Sequence, residues 1–382
     1  MIVRQAHPMM AAVTHDEFAE QLFVAQLKGY LTGRIEPALR ELTKRTIEPD
    51  LEQLTSDEER RRKALEKLQE LVPYQTWLCL MRSSQEMIWR FVGQCVDRQL
   101  PELQEKARRI QNPKGSLRLN PDLEIPSYLR AGDTHMMPGS YFETSGPDDL
   151  RAGALFDRGA AIYHSGRTGP ALNDARGHVV VAHLYERFPH FRPQRILEMG
   201  CSVGNSLVAV AGYFPEAEVH GIDIGAGMLA YGHARAEYLG VALHLSQQNA
   251  ESTDFPDDSF DLVYSSAVLH ETSEEAVKRI FRECYRILRP GGVMVHLEVP
   301  YRYEHSDLWT QIRGEYEARY NNEPFWHGAC TMDFVGLARS LGFRELAAGY
   351  QKHTNKASSG ERGFGQECTG AYRSWYVISG QK

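Results

Sequence analysis

The sequence predicts an α/β protein in which a parallel sheet with helices on both faces follows an all-helical N-terminal region. Three observations carry this. Up to about residue 111, apolar residues recur at helical spacing with no strand-like alternation. Residues 111–149 then turn to Pro, Gly, Asp and Ser, the texture of a connection. From about residue 175, short apolar runs alternate with helical segments, as parallel strands joined by helices do.

Thr14 with Glu17, and Thr55 with Glu58, have the hydroxyl-x-x-carboxylate spacing that caps a helix start. "EERRRKALEKLQELV" continues the second at helical period. Pro73 separates it from a long helix over residues 74–98, and Pro101 suits the first turn of a further helix. The basic run Arg60, Arg61, Arg62, Lys63 follows Asp57, Glu58 and Glu59, which reads as a solvated helix face rather than a nucleic-acid patch. The helix "ARGHVVVAHLYERF" leads into "RILEMG", "AEVHGID", "ALHLSQQNA", "FDLVYSS" and "GGVMVHLEV", five strands with helical segments between them. "FRELAAGYQKHT" and "SWYVISGQK" read as a final hairpin at the sheet edge. The expected organisation is a helical domain over 1–112, a connecting or lid segment over 113–174, and an α/β domain over 175–382.

Composition narrows the function classes. The chain has 382 residues, 42% hydrophobic and 24% charged, and a net charge of −7. That excludes global disorder and gives no broad basic footprint for nucleic acid or anionic membrane. The six cysteines are scattered with no CxxC, which suits reduced thiols rather than a disulfide framework. No long apolar run opens the sequence, and the most apolar helical stretch, residues 77–96, carries Arg82, Glu86 and Arg90 on one stripe. A cytoplasmic protein without membrane or nucleic-acid partners is expected.

The stretch "RILEMGCSVGNSLVAVAGYF" is a buried strand, a glycine-bearing turn and a helix start. Glycine tolerates positive φ and close ligand approach, and free N–H groups at the helix start favour a polar or anionic ligand. The spacing is Glu198-x-Gly200-x-Ser202-x-Gly204, not the GxGxxG of nicotinamide-binding proteins. Asp223 ends the next strand, where a carboxylate can hold two ribose hydroxyls. A helix cap for Asp223 and a buried ion pair for Glu198 are the plainer readings.

These residues resemble the class I S-adenosylmethionine-dependent methyltransferases. "ILEMGCSVGN" is similar to their first motif and "GIDIGAGMLAYGHARA" to their ribose strand and helix. "QNAESTDFPDDSFDLVYSSAVLHE" is similar to the adenine and fourth-strand motifs, and "CYRILRPGGVMV" to the turn into strand five. Ser202 stands where the family usually has the middle glycine. The resemblance implies a Rossmann-like seven-stranded sheet and S-adenosyl-L-methionine as cofactor. It implies that Gly200, Cys201 and Gly204 line the methionine part by backbone contact, with Glu198 just before them, and that Asp223 holds the ribose. Ile224 and Met228 would lie against the adenine, with Asn249, Ala250 and Glu251 at its edge. Ser265 and Ser266 would end strand four beneath the sulfonium, and Tyr163, with His164, would close over the methionine moiety.

For the methyl acceptor, His270 and Glu271 after strand four are the candidate proton acceptors, since an alcohol or carbon nucleophile needs a general base. His135 (beside Asp133) and Tyr141 in the connection, and Tyr301, Trp326 and His327 after strand five, are candidate acceptor contacts. No acid pair has the spacing of magnesium-dependent catechol-type enzymes, and Asp257–Asp258 reads as a turn, so no metal is expected. The reading is a small-molecule methyltransferase with a lean to oxygen. Nitrogen, sulfur or carbon acceptors and a non-catalytic cofactor-binding scaffold are the alternatives. The N-terminal helices are expected to form a lid or a homodimer interface.

Overall fold

The computed structural model describes residues 3–169 and 171–382. The N-terminal region is helical as expected: α1 (His15–Tyr30), α2 (Glu36–Thr46), α3 (Asp57–Gln69) and α4 (Val72–Arg108). Thr14 and Glu17 form the reciprocal capping box at α1. The second cap is displaced by one residue. Ser56, not Thr55, is the N-cap of α3, its hydroxyl accepting the Glu59 N–H at 3.3 Å. Pro101 starts no new helix but sits inside α4. The continuation is tied down by Leu103, which is buried, and that packing outweighs the one backbone bond a proline removes.

The expected connection holds more structure than its composition suggests. Strand β1 (Ser116–Arg118) and a 13-residue helix, α5 (Arg151–Tyr163), lie within it. Gly153 and Gly159 are where α5 packs against Tyr231 and Trp89. Then follow α6 (Ala175–Arg187), β2 (Arg195–Met199), α7 (Asn205–Tyr213), β3 (Glu218–Asp223), α8 (Ala226–Leu239), β4 (His244–Gln247), β5 (Phe260–Ser266), α9 (Glu274–Ile287) and β6 (Leu288–Glu298). After them come α10 (Leu308–Tyr320), α11 (Trp326–Thr331), α12 (Phe334–Leu341), β7 (Arg344–Lys352), β8 (Phe364–Gly365) and β9 (Ser374–Gln381).

The sheet has nine strands rather than seven, in the order β1-β4-β3-β2-β5-β6-β9-β7-β8. The additional strands are short edges: β1 extends the sheet beside β4 in parallel, and β8 pairs with β7. The β2–β6 set is parallel, while β9 inserts antiparallel between β6 and β7 as the predicted hairpin. The chain runs outward from β2 through β3 and β4, then returns to the other side of β2 as β5. The carboxyl end of β2 is therefore the point of reversal where a crevice opens. One apolar cluster lies between the sheet and α6–α7, a second between the sheet and α9 with α12.

The N-terminal helices share their core with the rest of the molecule. Val24, Trp89 and Val92 pack with Leu155 of α5 and Met228 and Tyr231 of α8, while Tyr74 and Trp77 pack with Trp309 and Tyr316 of α10. Asp157 of α5 pins this seam. Its carboxylate takes His7 Nε2 at 2.8 Å and the Tyr231 hydroxyl at 2.8 Å, and Arg235 lies 3.7 Å away. Among the described residues, no helix is long and apolar enough to cross a membrane.

Candidate active site

At the carboxyl end of β2 the chain enters the turn 200–204. Gly200 has φ +72°, and a Cβ there would stand 2.6 Å from Val268 Cγ2, so only glycine fits. Ser202 adopts φ +47° in place of the family's glycine, and its N–H donates to Asp223 Oδ2 at 2.8 Å. The other oxygen of Asp223 accepts the Gly225 N–H at 2.9 Å. Burial raises the pKa of this carboxyl, with the backbone donors opposing. Asp223 is not the helix N-cap of the plainer reading, a place taken by Gly225, but it braces the turn and the start of α8, and it also faces a cavity of about 280 Å³. Gly200, Ile224, Ala250 and Ser266 border the same cavity.

Two residues here were not anticipated. Gln248, just past β4, lines the cavity; the only sequence signal was its place at a strand end. Arg176, at the start of α6, also lines it, with its Nε buried and unpartnered. Glu198 lies near Arg176 but is buried in the sheet, accepting the Tyr264 hydroxyl at 3.2 Å. Burial pushes its pKa up to about 8, against the opposing charge of Arg176.

The remaining predicted residues have these surroundings. The Cys201 side chain packs into the apolar core with Leu207 and Leu229, so that only its backbone belongs to the turn, and the Met228 side chain packs into the seam with α5. Gly204 is the left-handed N-cap of α7. Asn249 closes a local turn by accepting the Glu251 N–H, and the Glu251 carboxylate is engaged by Tyr128 and Arg279. Ser265, one strand position from Ser266, faces the other side of the sheet and pairs with His296 at 2.7 Å. His327 lies outside the cavity, with Nδ1 2.6 Å from the Tyr303 hydroxyl and Nε2 3.3 Å from Glu315.

The far end of the cavity is built from side chains. His270 Nδ1 lies 2.6 Å from Glu298 Oε2, and the other Glu298 oxygen accepts the Val268 and Leu269 N–H groups. This fixes the imidazole with Nε2 facing Glu271 at 3.6 Å and Glu323 at 3.8 Å. His135 places Nε2 2.8 Å from Glu271 and Nδ1 3.0 Å from Glu323. Its backbone is left-handed, φ +53°, and its carbonyl is held by Gln85 Nε2 at 2.9 Å and Trp89 Nε1 at 2.7 Å. Two side chains of α4 thus stabilise a strained residue at the site. Tyr141, Tyr301 and Trp326 wall this end.

Tyr163, expected over the methionine part, stands beside His135. Its ring is 5.3 Å from His135, and its hydroxyl accepts a bond from Asn321. Burial alone would depress both histidines, but the carboxylates outweigh it. Glu298 foremost raises His270 to about 9, and Glu323 and Glu271 raise His135 to about 10. The surrounding carboxylates thus favour the protonated imidazole of His270.

The Methyltransferase domain family matches residues 196–292, the span from β2 into β6 that holds the glycine turn and Asp223. The chain carries a class I S-adenosylmethionine-dependent methyltransferase domain. It is 33% identical over 155 residues to demethylmenaquinone methyltransferase of Symbiobacterium thermophilum, covering 38% of this chain and 57% of that one. It is 34% identical over 113 residues to trans-aconitate 2-methyltransferase of Methylobacterium radiotolerans, covering 30% and 41%. Phosphoethanolamine N-methyltransferase 1 of Arabidopsis thaliana is 31% identical over 100 residues, covering 26% and 20%. The chain spans about half the length of the first two relatives. Those names cover different acceptors, so the shared part is the donor domain.

The methyl donor of this domain is S-adenosyl-L-methionine, and the residues present fit it. A turn that a single Cβ would block lies beside a half-buried strand-end carboxylate facing the same cavity. Bound there, it supplies an electrophilic methyl group on a sulfonium.

Proposed function

We propose that the protein is a small-molecule methyltransferase acting on an oxygen acceptor. One observation supports this above the rest: a single cavity is bordered by Gly200 and Asp223 at one end and by His135, His270 and Glu271 at the other. Asp223 would hold the ribose hydroxyls, and Ile224, Gln248 and Ala250 would border the adenine. Arg176 would pair the donor's carboxylate through its unpartnered Nε. Ser266 stands between the two ends. Tyr141, Tyr301 and Trp326 would exclude water and flank the acceptor, and the imidazole–carboxylate cluster would orient its oxygen and draw off its proton.

Calorimetry with S-adenosyl-L-methionine tests the donor half, and replacing His270 by Ala tests the acceptor half. The expected result is donor binding by both proteins, with methyl transfer lost in the variant. Absence of donor binding by the parent would refute the reading, and full turnover by the variant would remove His270 from the acceptor end.

A further inference from the structure

The absence of a local acid pair in the sequence says nothing of ligands gathered from distant segments. His135, His270, Glu271 and Glu323 each offer one donor atom, and those atoms lie within 4.8 Å of one another. They come from the connection, from the turn after β5, and from the loop before α11. We propose that these four residues bind a divalent transition-metal ion, zinc being the best match, at the acceptor end of the cavity. The inference rests on the function proposed above in one respect: the ion would then be the group that receives the acceptor's oxygen.

Four observations point this way. Glu323 Oε2 is buried without a hydrogen-bond partner, in a side chain only 1% exposed, and it is aimed at His270. An unpaired buried carboxylate oxygen is costly unless something positive meets it. His270 Nε2 stands 3.6 and 3.8 Å from its two carboxylate neighbours. Those gaps are too long for hydrogen bonds. They are close to the ~3.0–3.4 Å that separates two ligands of one ion with ~2.0–2.1 Å bonds. Contraction by less than about half an ångström would bring both carboxylates onto such an ion.

Thirdly, Glu298 holds His270 by Nδ1, which sets the other nitrogen as the free ligand atom. A carboxylate behind a metal-binding histidine is the usual means of fixing its tautomer and orientation. Fourthly, His135 is kept in a left-handed backbone by Gln85 and Trp89. Such a conformation persists only where the surroundings fix it, and these bonds do so for His135. Either ring nitrogen of His135 lies beside a carboxylate of the set, so one can ligate while the other keeps a carboxylate partner. Two imidazoles with two carboxylates suit zinc over magnesium or calcium, which prefer all-oxygen sites. The rival arrangement is a metal-free cluster in which two imidazoliums balance the carboxylates.

The test uses the full chain, stripped with chelator and titrated with zinc chloride in the absence of donor and acceptor. Cobalt substitution gives a spectroscopic reading of the same site. The expected result is one zinc per chain, with affinity lowered on the order of 100-fold or more in both Glu323→Gln and Glu271→Gln. Circular dichroism and donor binding establish that each variant is folded. Glu271 is the more exposed of the two, so its variant keeps the test decisive if Glu323→Gln fails to fold. No stoichiometric zinc, or zinc held equally by folded variants, would overturn the proposal. Donor binding without zinc binding would sink the metal site alone, whereas zinc binding without donor binding would sink the methyltransferase reading alone.

Discussion

At the donor end of the cavity, Gly200, Ser202, Asp223 and Ile224 belong to one β-α-β unit. What they present is largely backbone shape and one carboxylate. At the acceptor end, His135, His270, Glu271 and Glu323 come from three separate segments and present side chains. They are held by partners as distant as Gln85, Trp89 and Glu298. The first end is rigid because its strands are. The second is rigid only as far as its supporting hydrogen bonds make it so. Substitutions that separate the two ends therefore test the description.

The largest expected effect is at the donor end. Asp223→Ala removes a half-buried carboxylate that faces the cavity and braces the turn through Ser202 and Gly225. Donor affinity measured by calorimetry should fall about 100-fold, the size of one or two charge-assisted hydrogen bonds. Unchanged affinity would move the donor off this strand end.

Next is a titration in the scaffold of the acceptor end. Lys28 of α1 is buried, bonds Gln85 at 2.6 Å and lies 3.7 Å over the Tyr163 ring. Burial above all, then Arg313, lowers its pKa to about 7, against the opposing Glu323 and Glu36. The unfolded chain holds this proton up to about pH 10.4, so between the two values the native state binds fewer protons. Stability should rise with pH across that window relative to Lys28→Met, by about 2 kcal/mol between pH 7 and 9. The cost of the buried ammonium is fully present below pH 7. Parallel denaturation midpoints for parent and variant at all pH values would contradict this.

Smaller is Trp89→Phe, which keeps the ring packing but loses the N–H to the His135 carbonyl. Methyl transfer should fall about 5- to 10-fold, from about 1 kcal/mol, with donor affinity unchanged. An equal loss in both would show that the two ends are not separable. Smallest is His327→Gln, outside the cavity, which should leave transfer unchanged; a clear loss would place His327 back at the acceptor.

The same contrast explains what could be read in advance. The strand–turn–helix, the strand-end acid and the hairpin of β7 and β9 are written in contiguous residues, and their periodicity and glycine spacing carry them. Residues whose direction depends on packing were misplaced: Ser265 shares a strand end with Ser266 but faces the opposite side, and Met228 turns from the cavity into the seam with α5. Arg176 and Glu323 gave no signal, because what brings them to the cavity is the docking of helices and loops over the sheet.

The most direct test of the central claim is to incubate the protein and Asp223→Ala with methyl-labelled S-adenosyl-L-methionine and a size-fractionated cell extract. One cavity joining donor turn to acceptor cluster predicts label in a small-molecule product, present with the parent and lost with the variant. Label confined to macromolecules, or none despite measurable donor binding, would contradict it.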